Sequence, residues 1–322
     1  MRHDKPKILL DSNVWRYVID NSASGRLLNL TRQNRFELMV APAVVYEALR
    51  LNDEILRSKL IRLMTNRAFS RLMPEAYSEA MELLREIKRL RPQWLRKEPD
   101  LSFFFRLEAD WRKVSGGFWV RCRRSPEHIA NQTNELEAET MFNARKQAEN
   151  ARKEIIEADW KSNPPLDKMS AMFKSPRKGW RGDAFEAWRM DGYAAWTYSL
   201  KRKEGAYWDW IEPFIELNYG LLDSPDWLAF WIYDVEESFV PREWLRWAFS
   251  FTQRFRKVTP GSPGDSQLST YFLDSDIVIS ADRIFIEILD TLRAFAPCDL
   301  PKGVLIPGGF NGVQSLFDEL AI

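Results

Sequence analysis

The sequence predicts an α/β protein whose parallel sheet is assembled from both ends of the chain and interrupted by a large all-helical insertion. Three observations predict it. Short apolar runs near both ends, Ile8-Leu9-Leu10 and DIVIS at 276–280, stop on polar residues and give way to helical patterns, as strands buried on both faces do. The middle of the chain carries helical periodicity, and TPGSPGD at 259–265 breaks it before the α/β pattern returns. Residues 1–54 and 259–322 are each too short to bury a core alone, so they read as one domain, with 55–258 as the insertion.

Taken in order, 7–10 (KILL) reads as the first strand, with helices expected at 14–20 and near 25–33. A second strand is expected over 36–41, and Pro42 opens the next helix at a position where its missing N–H costs nothing. Ile55, Leu56, Leu60, Leu63 and Met64 mark an amphipathic helix, and Pro74 starts another running to about 90. The polar stretch 128–159, with a thin apolar stripe, reads as a long helix serving as a solvated arm or a hairpin. The segment 161–183, rich in Pro, Lys and Ser, reads as a loop, followed by Trp-dense helices to about 257. Beyond the break come a helix at 266–273, a strand at 276–280, a helix at 283–295, a strand at 303–306 and a last helix from 312.

Composition narrows the chemistry. The chain has 322 residues, 45% hydrophobic and 29% charged, with 14 Trp and 20 Phe, which argues against disorder. Two cysteines, Cys122 and Cys298, give no disulfide framework and suit a reducing cytoplasm. Only two histidines, His3 and His128, accompany the two cysteines, which argues against zinc and against a histidine base. No run approaches the ~20 apolar residues of a membrane span. Residues 55–258 carry 36 Lys and Arg against 30 Asp and Glu, whereas the flanks carry 11 against 16. The flanks are where a cation could be held and the middle is where a polyanion could be held.

Acids recur at element ends. Asp11 follows the first strand, Glu47 lies on the helix after the second, Asp265 opens a later helix and Asp282 follows DIVISA. These are positions at the carboxyl edge of a parallel sheet, where α/β folds bind ligands. Each has a plainer reading: Asp11, Asp265 and Asp282 as helix N-caps, Glu47 as a solvated helix residue. Asp274 and Asp276 read as turn residues. Four carboxylates on one edge would repel unless a divalent cation offset them, and oxygen ligands select Mg²⁺ or Mn²⁺.

The order LLDSN, APAVVYE, GDSQLSTYFLDSDIVISADRIF resembles the PIN-domain nucleases. The resemblance covers the two flanks only and implies a PIN-like three-layer fold. It implies a metal-dependent endonuclease that hydrolyses phosphodiesters, RNA ahead of DNA, with Asp11, Glu47, Asp265 and Asp282 as metal ligands and catalytic residues. Asn13 and Ser280 support them, and Phe285 fills the family's aromatic position. A protein regulator such as an antitoxin, or a second copy of the chain, would be in keeping with the family. The insertion departs from compact members. A haloacid-dehalogenase-type phosphatase would need a second acid where Asn13 stands, and no P-loop motif occurs.

Within the insertion, Arg121, Arg123 and Arg124, with Lys174, Arg177, Lys178 and Arg181, could track a phosphate backbone. Trp180 or Trp119 could stack on an unpaired base, whereas most other Trp read as core. The alternative function is a catalytically silent PIN-like protein whose insertion holds a protein or nucleic acid.

Overall fold

A computed structural model describes residues 5–33, 35–113, 115–160, 164–216, 219–259 and 261–321. His3, Pro260 and the start of the expected 161–183 loop lie outside the described residues. The chain opens with β1 (Lys7–Leu10), α1 (Ser12–Asp20), α2 (Ser24–Arg32), β2 (Glu37–Val40), α3 (Pro42–Leu49), α4 (Glu54–Met64) and β3 (Ser70–Arg71). The helices α5 (Glu75–Leu90), α6 (Ser102–Arg112), α7 (Phe118–Arg124) and α8 (Pro126–Glu157) follow, then the short strands β4 (Ser170–Ala171) and β5 (Phe185–Glu186). Next come α9 (Ala187–Arg202), α10 (Ala206–Ile211), α11 (Tyr219–Leu222), α12 (Pro225–Ala229) and α13 (Pro241–Gln253). The chain closes with α14 (Ser262–Ser269), β6 (Ile277–Ser280), α15 (Arg283–Arg293), β7 (Lys302–Leu305) and α16 (Gly309–Leu320).

The sheet runs β3-β2-β1-β6-β7, all parallel. The first strand is therefore central, flanked by β2 on one side and by β6, from the far end of the chain, on the other. The chain leaves β1 towards β2 but leaves β6 towards β7, in opposite lateral directions. Right-handed crossovers then put α1 and α15 on opposite faces of the sheet. Their separate partners agree, with α1 packing on α4 and α16, and α15 on α13. Leu9, Leu10 and Val278 are fully buried, as strands covered on both faces require.

The α/β architecture and its parallel sheet match the expectation, with three differences. The insertion is not all-helical, because β3 extends the main sheet and β4 pairs with β5 in an antiparallel ribbon. The sheet also runs past the expected boundary at 54, since β3 pairs with β2 at Met39–Ser70 and Val40–Arg71. Two-residue strands carry no apolar run to announce them. Finally, α8 is a single continuous helix and not an isolated arm, for it packs against α3, α4, α7 and α14. Its thin stripe is what it buries: Ile129, Ala130 and Ile155.

One apolar core runs from Ile8 to Leu320 through sheet and insertion together. Trp188, Trp196, Trp210, Trp227, Trp231, Trp244 and Trp247 are all buried, as expected of core residues. Polar ties reinforce the junction. Arg242 on α13 pairs ionically with Glu82 of α5 at 3.0 Å, donates its backbone N–H to the same carboxylate at 3.1 Å, and donates from its guanidinium to Asp274 at 2.9 Å and to the Thr270 carbonyl. Asp274 is thus half of a partly buried ion pair and not merely a turn residue, and Asp276 accepts the Lys7 N–H at 2.7 Å, fixing the start of β1. No helix among the described residues is long and apolar enough to cross a membrane.

Candidate functional site

The edge where β1 and β6 end gathers the acids. Asp11 follows β1 directly and its backbone N–H still pairs with the Ile279 carbonyl of β6, at 3.0 Å. Its side chain is only 4% exposed. Oδ1 accepts the Ser12 N–H at 2.6 Å and the Ser12 hydroxyl at 3.3 Å, while Oδ2 accepts Asn13 Nδ2 and Ser280 Oγ, each at 2.6 Å. Ser280, fully buried, also accepts from Asn13 Nδ2 at 3.3 Å and from the Asp282 N–H at 2.9 Å. Asn13 Oδ1 takes the Ala281 N–H at 3.1 Å. Asn13 and Ser280 therefore lock the ends of β1 and β6 together around one carboxylate.

Ser12 turns its hydroxyl to Glu47 Oε1 as well, at 3.0 Å, linking α1 to α3. The first turn of α14 closes over Glu47, so that a methyl added to Gly264 would stand 3.8 Å from Glu47 Oε2. Asp265 follows on that turn. The plainer reading of it as a helix cap does not hold: α14 starts earlier, at Ser262, and the Asp265 N–H already donates to the Gly261 carbonyl. Pro263 is tolerated because the first turn needs no intrahelical N–H. Asp282 does cap α15, its Oδ1 accepting from Ile284 at 2.7 Å and Phe285 at 3.1 Å. Phe285 is buried against Phe249 and Phe272. Asp11 also caps α1, so two of the plainer readings hold without removing either acid from the edge.

The charges feel one another. Burial pushes the Asp265 carboxyl well up, and Asp11, Glu47 and Asp282 add to the shift. Burial raises Glu47, helped by Asp11 and opposed by the Ser12 hydroxyl and Arg50. Burial raises Asp11, opposed chiefly by the Ser280 hydroxyl and aided by Asp282. The hydrogen bond found for Asp265 among the described residues is a long one, 3.5 Å from Gln253 Nε2. The pair Ser250–Ser266 holds α13 to α14 beside it, oxygen to oxygen at 2.6 Å.

Two concavities adjoin the acids. One of about 220 Å³ is lined by Ser12, Asn13, Arg16, Glu47 and apolar residues of α3 and α4. A smaller recess brings Asp265 and Asp282 together with Arg256, Lys257 and Gln253. The sequence reading did not single out Ser12 beyond its place in the DSN triplet, nor Gln253, Arg16, Arg50, Arg256 or Lys257. The last four are ordinary cations of polar helix faces and linkers, and only the fold brings them to this edge.

The fit of a cation can be judged from the donors present. They are all oxygen, they carry excess negative charge, and Asp265 has no close counter-charge among its described contacts, all of which suits Mg²⁺ or Mn²⁺. Among the described residues, however, no three His, Cys, Asp or Glu side chains stand close enough together to hold a metal ion as placed. The residues fit a hard cation by chemistry and charge, without forming a finished cage.

The candidate nucleic-acid contacts are not gathered here. Arg121 is tied to Asp110 by bonds of 2.6 and 2.7 Å. Arg123 and Arg124 are exposed on the last turn of α7. Lys174, Arg177, Lys178 and Arg181 are exposed on a separate loop, with Arg177 over Phe173 and Arg181 over Tyr233. Trp180 is half-buried against Phe173 and donates to the Asp183 carbonyl at 2.8 Å, so it braces that loop. Trp119 is fully buried and unavailable for stacking, which corrects its candidacy. Comparison with known proteins matched no family model, no curated protein and no solved structure.

Proposed function

We propose that this protein is a metal-dependent nuclease of the PIN-like kind, hydrolysing phosphodiester bonds in RNA ahead of DNA. The observation that carries the reading is the convergence of Asp11, Glu47, Asp265 and Asp282, from four separate segments, into one mutually repelling group at the edge of a parallel sheet. Such an arrangement costs stability, and a bound divalent cation would offset that cost.

Asp11, Glu47, Asp265 and Asp282 would hold the ion. When bound, Mg²⁺ or Mn²⁺ supplies a Lewis acid that activates water and offsets phosphate charge. Asn13 and Ser280 orient Asp11, and Ser12 orients Glu47, so the carboxylates meet a ligand already positioned. Arg256 and Lys257, beside Asp265 and Asp282, are placed to hold a phosphate oxygen.

One observation favours the second reading, a silent binding protein: all the close acceptor positions of Asp11 are already engaged by protein donors. Titration with Mn²⁺, followed by its electron paramagnetic resonance signal, separates the two. The nuclease reading expects a site that is lost in Asp265→Asn. Absence of binding by the unaltered protein, with or without RNA, would leave the binding-protein reading standing.

A further inference from the structure

A third cavity, of about 290 Å³, lies behind α14. It is walled by Ala144, Ala148 and Ala151 of α8 and by Ser250, Gln253 and Arg254 on and just beyond α13, with Asp191 of α9 at its lining. Its size is near the lower end for small-molecule sites, suited to one flat ring system and too small for a stretch of chain. One wall is small and apolar, while the other carries hydrogen-bonding groups, as recognition of a planar heterocycle requires.

Two features tie this cavity to the acids. Gln253 lines both the cavity and the recess of Asp265 and Asp282, and is itself the hydrogen-bond partner of Asp265. Pro263 and Ser266, which line the cavity, bracket Gly264 and Asp265 on the same helix. A nucleotide whose phosphate lies at the acids could therefore send its base over α14 into the cavity.

Asp191 is the group without an evident structural task. Its neighbours on the network are fully committed: Arg246 bonds Glu79, Glu243 and Tyr207. Asp191 senses Glu243, Arg246 and Arg254 electrostatically but forms no hydrogen bond or ion pair among the described residues. Burial and Glu243 raise its pKa, while Arg246 and Arg254, which also line the cavity, partly oppose the rise, so a ligand that donates hydrogen bonds to the carboxylate would supply the partners it lacks.

We propose that this cavity is a nucleobase pocket that seats the base next to the scissile phosphate and reads it through Asp191, favouring guanine. The choice of guanine follows from donor count. An ionised carboxylate offers two acceptor oxygens and no donor. The Watson–Crick edge of guanine presents two adjacent N–H donors to match them, whereas no two donors stand side by side on the corresponding edges of adenine, cytosine and uracil. For the guanine carbonyl, Gln253 Nε2 has a second N–H besides the one that reaches Asp265, and the Ser250 hydroxyl can donate when Ser266 is the donor in their pair. The proposal rests on the nuclease reading for its biological setting, but its test does not need catalysis.

The test is calorimetric titration of the full chain, in EDTA, with the four nucleoside 5′-monophosphates. GMP is expected to bind best, by at least about fivefold, the lower end of what one bidentate base contact supplies. Asp191→Asn is expected to erase that preference, and Ala148→Phe, which fills the cavity from its apolar wall, to abolish binding with the fold retained by circular dichroism. Equal affinity for all four nucleotides, no binding by the unaltered protein, or a GMP preference that survives both variants would overturn the pocket. The two proposals fail separately. GMP binding without metal-dependent cleavage removes the nuclease and keeps the pocket, and cleavage without base preference does the reverse.

Discussion

Replacing Ser280 by Ala deletes one oxygen that three groups share. The hydroxyl donates to Asp11 Oδ2 at 2.6 Å and accepts from Asp282 N–H at 2.9 Å and, more weakly, from Asn13 Nδ2 at 3.3 Å. A hydrogen bond to a buried charge contributes roughly 1.5–3 kcal/mol, and a neutral one about 1 kcal/mol. The weak third contact adds little, so the loss should be about 2.5–4 kcal/mol, a large share of the roughly 5–15 kcal/mol that holds a typical domain. Urea unfolding followed by tryptophan fluorescence measures it as a lower midpoint at unchanged slope. Because Ser280 is the main group opposing the rise in the Asp11 pKa, Ser280→Ala should also push that carboxyl further up. A cycle with Asp11→Asn should then show coupling of at least about 1 kcal/mol. A loss below about 1 kcal/mol, or additive effects, would refute the claim that Ser280 locks the two strand ends through Asp11.

Three further outcomes follow from the same structure. Asp265→Asn removes one of four mutually repelling charges, so in EDTA its melting temperature should rise while cleavage disappears; a fall in melting temperature would contradict the repulsion. Burial pushes Glu82 up to about 7 from its ordinary 4.5, even though Arg242 pulls its proton off. The unfolded chain then loses that proton first, so stability should fall as pH rises from 4.5 to about 7, by on the order of 3 kcal/mol at most, and Glu82→Gln should flatten the curve of unfolding midpoint against pH. Arg123→Ala with Arg124→Ala should weaken RNA binding and lower the salt slope by about 2, whereas Arg121→Ala, already tied to Asp110, should leave the slope unchanged.

The sequence made the central strands visible because β1, β2 and β6 are apolar runs bounded by polar residues, and it put all four acids on the edge where the fold brings them. Pro42 at the first position of α3 was readable for the same local reason. What depended on tertiary contact was not readable. Glu79, Glu82 and Glu86 recur at helical spacing on α5 and look like a solvated face, yet all three are buried, and two of them pair with Arg242 and Arg246 across the core. The start of α14 was displaced because Pro-Gly reads as a turn, although proline is accepted in a first turn. Nothing local marks β3, whose two residues become a strand only through pairing with β2. The cations Arg16, Arg50 and the adjacent pair Arg256 and Lys257 come from three distant parts of the sequence, so composition alone could not associate them with the acids.

The most direct test of the account is cleavage of end-labelled single-stranded RNA and DNA by the full chain with Mn²⁺, with Mg²⁺ and with EDTA, beside Asp11→Asn of matched fold. The account predicts cutting that requires the metal, favours RNA and vanishes in the variant. Cutting that persists in EDTA or in Asp11→Asn, or no cutting of either nucleic acid with either metal, would contradict it.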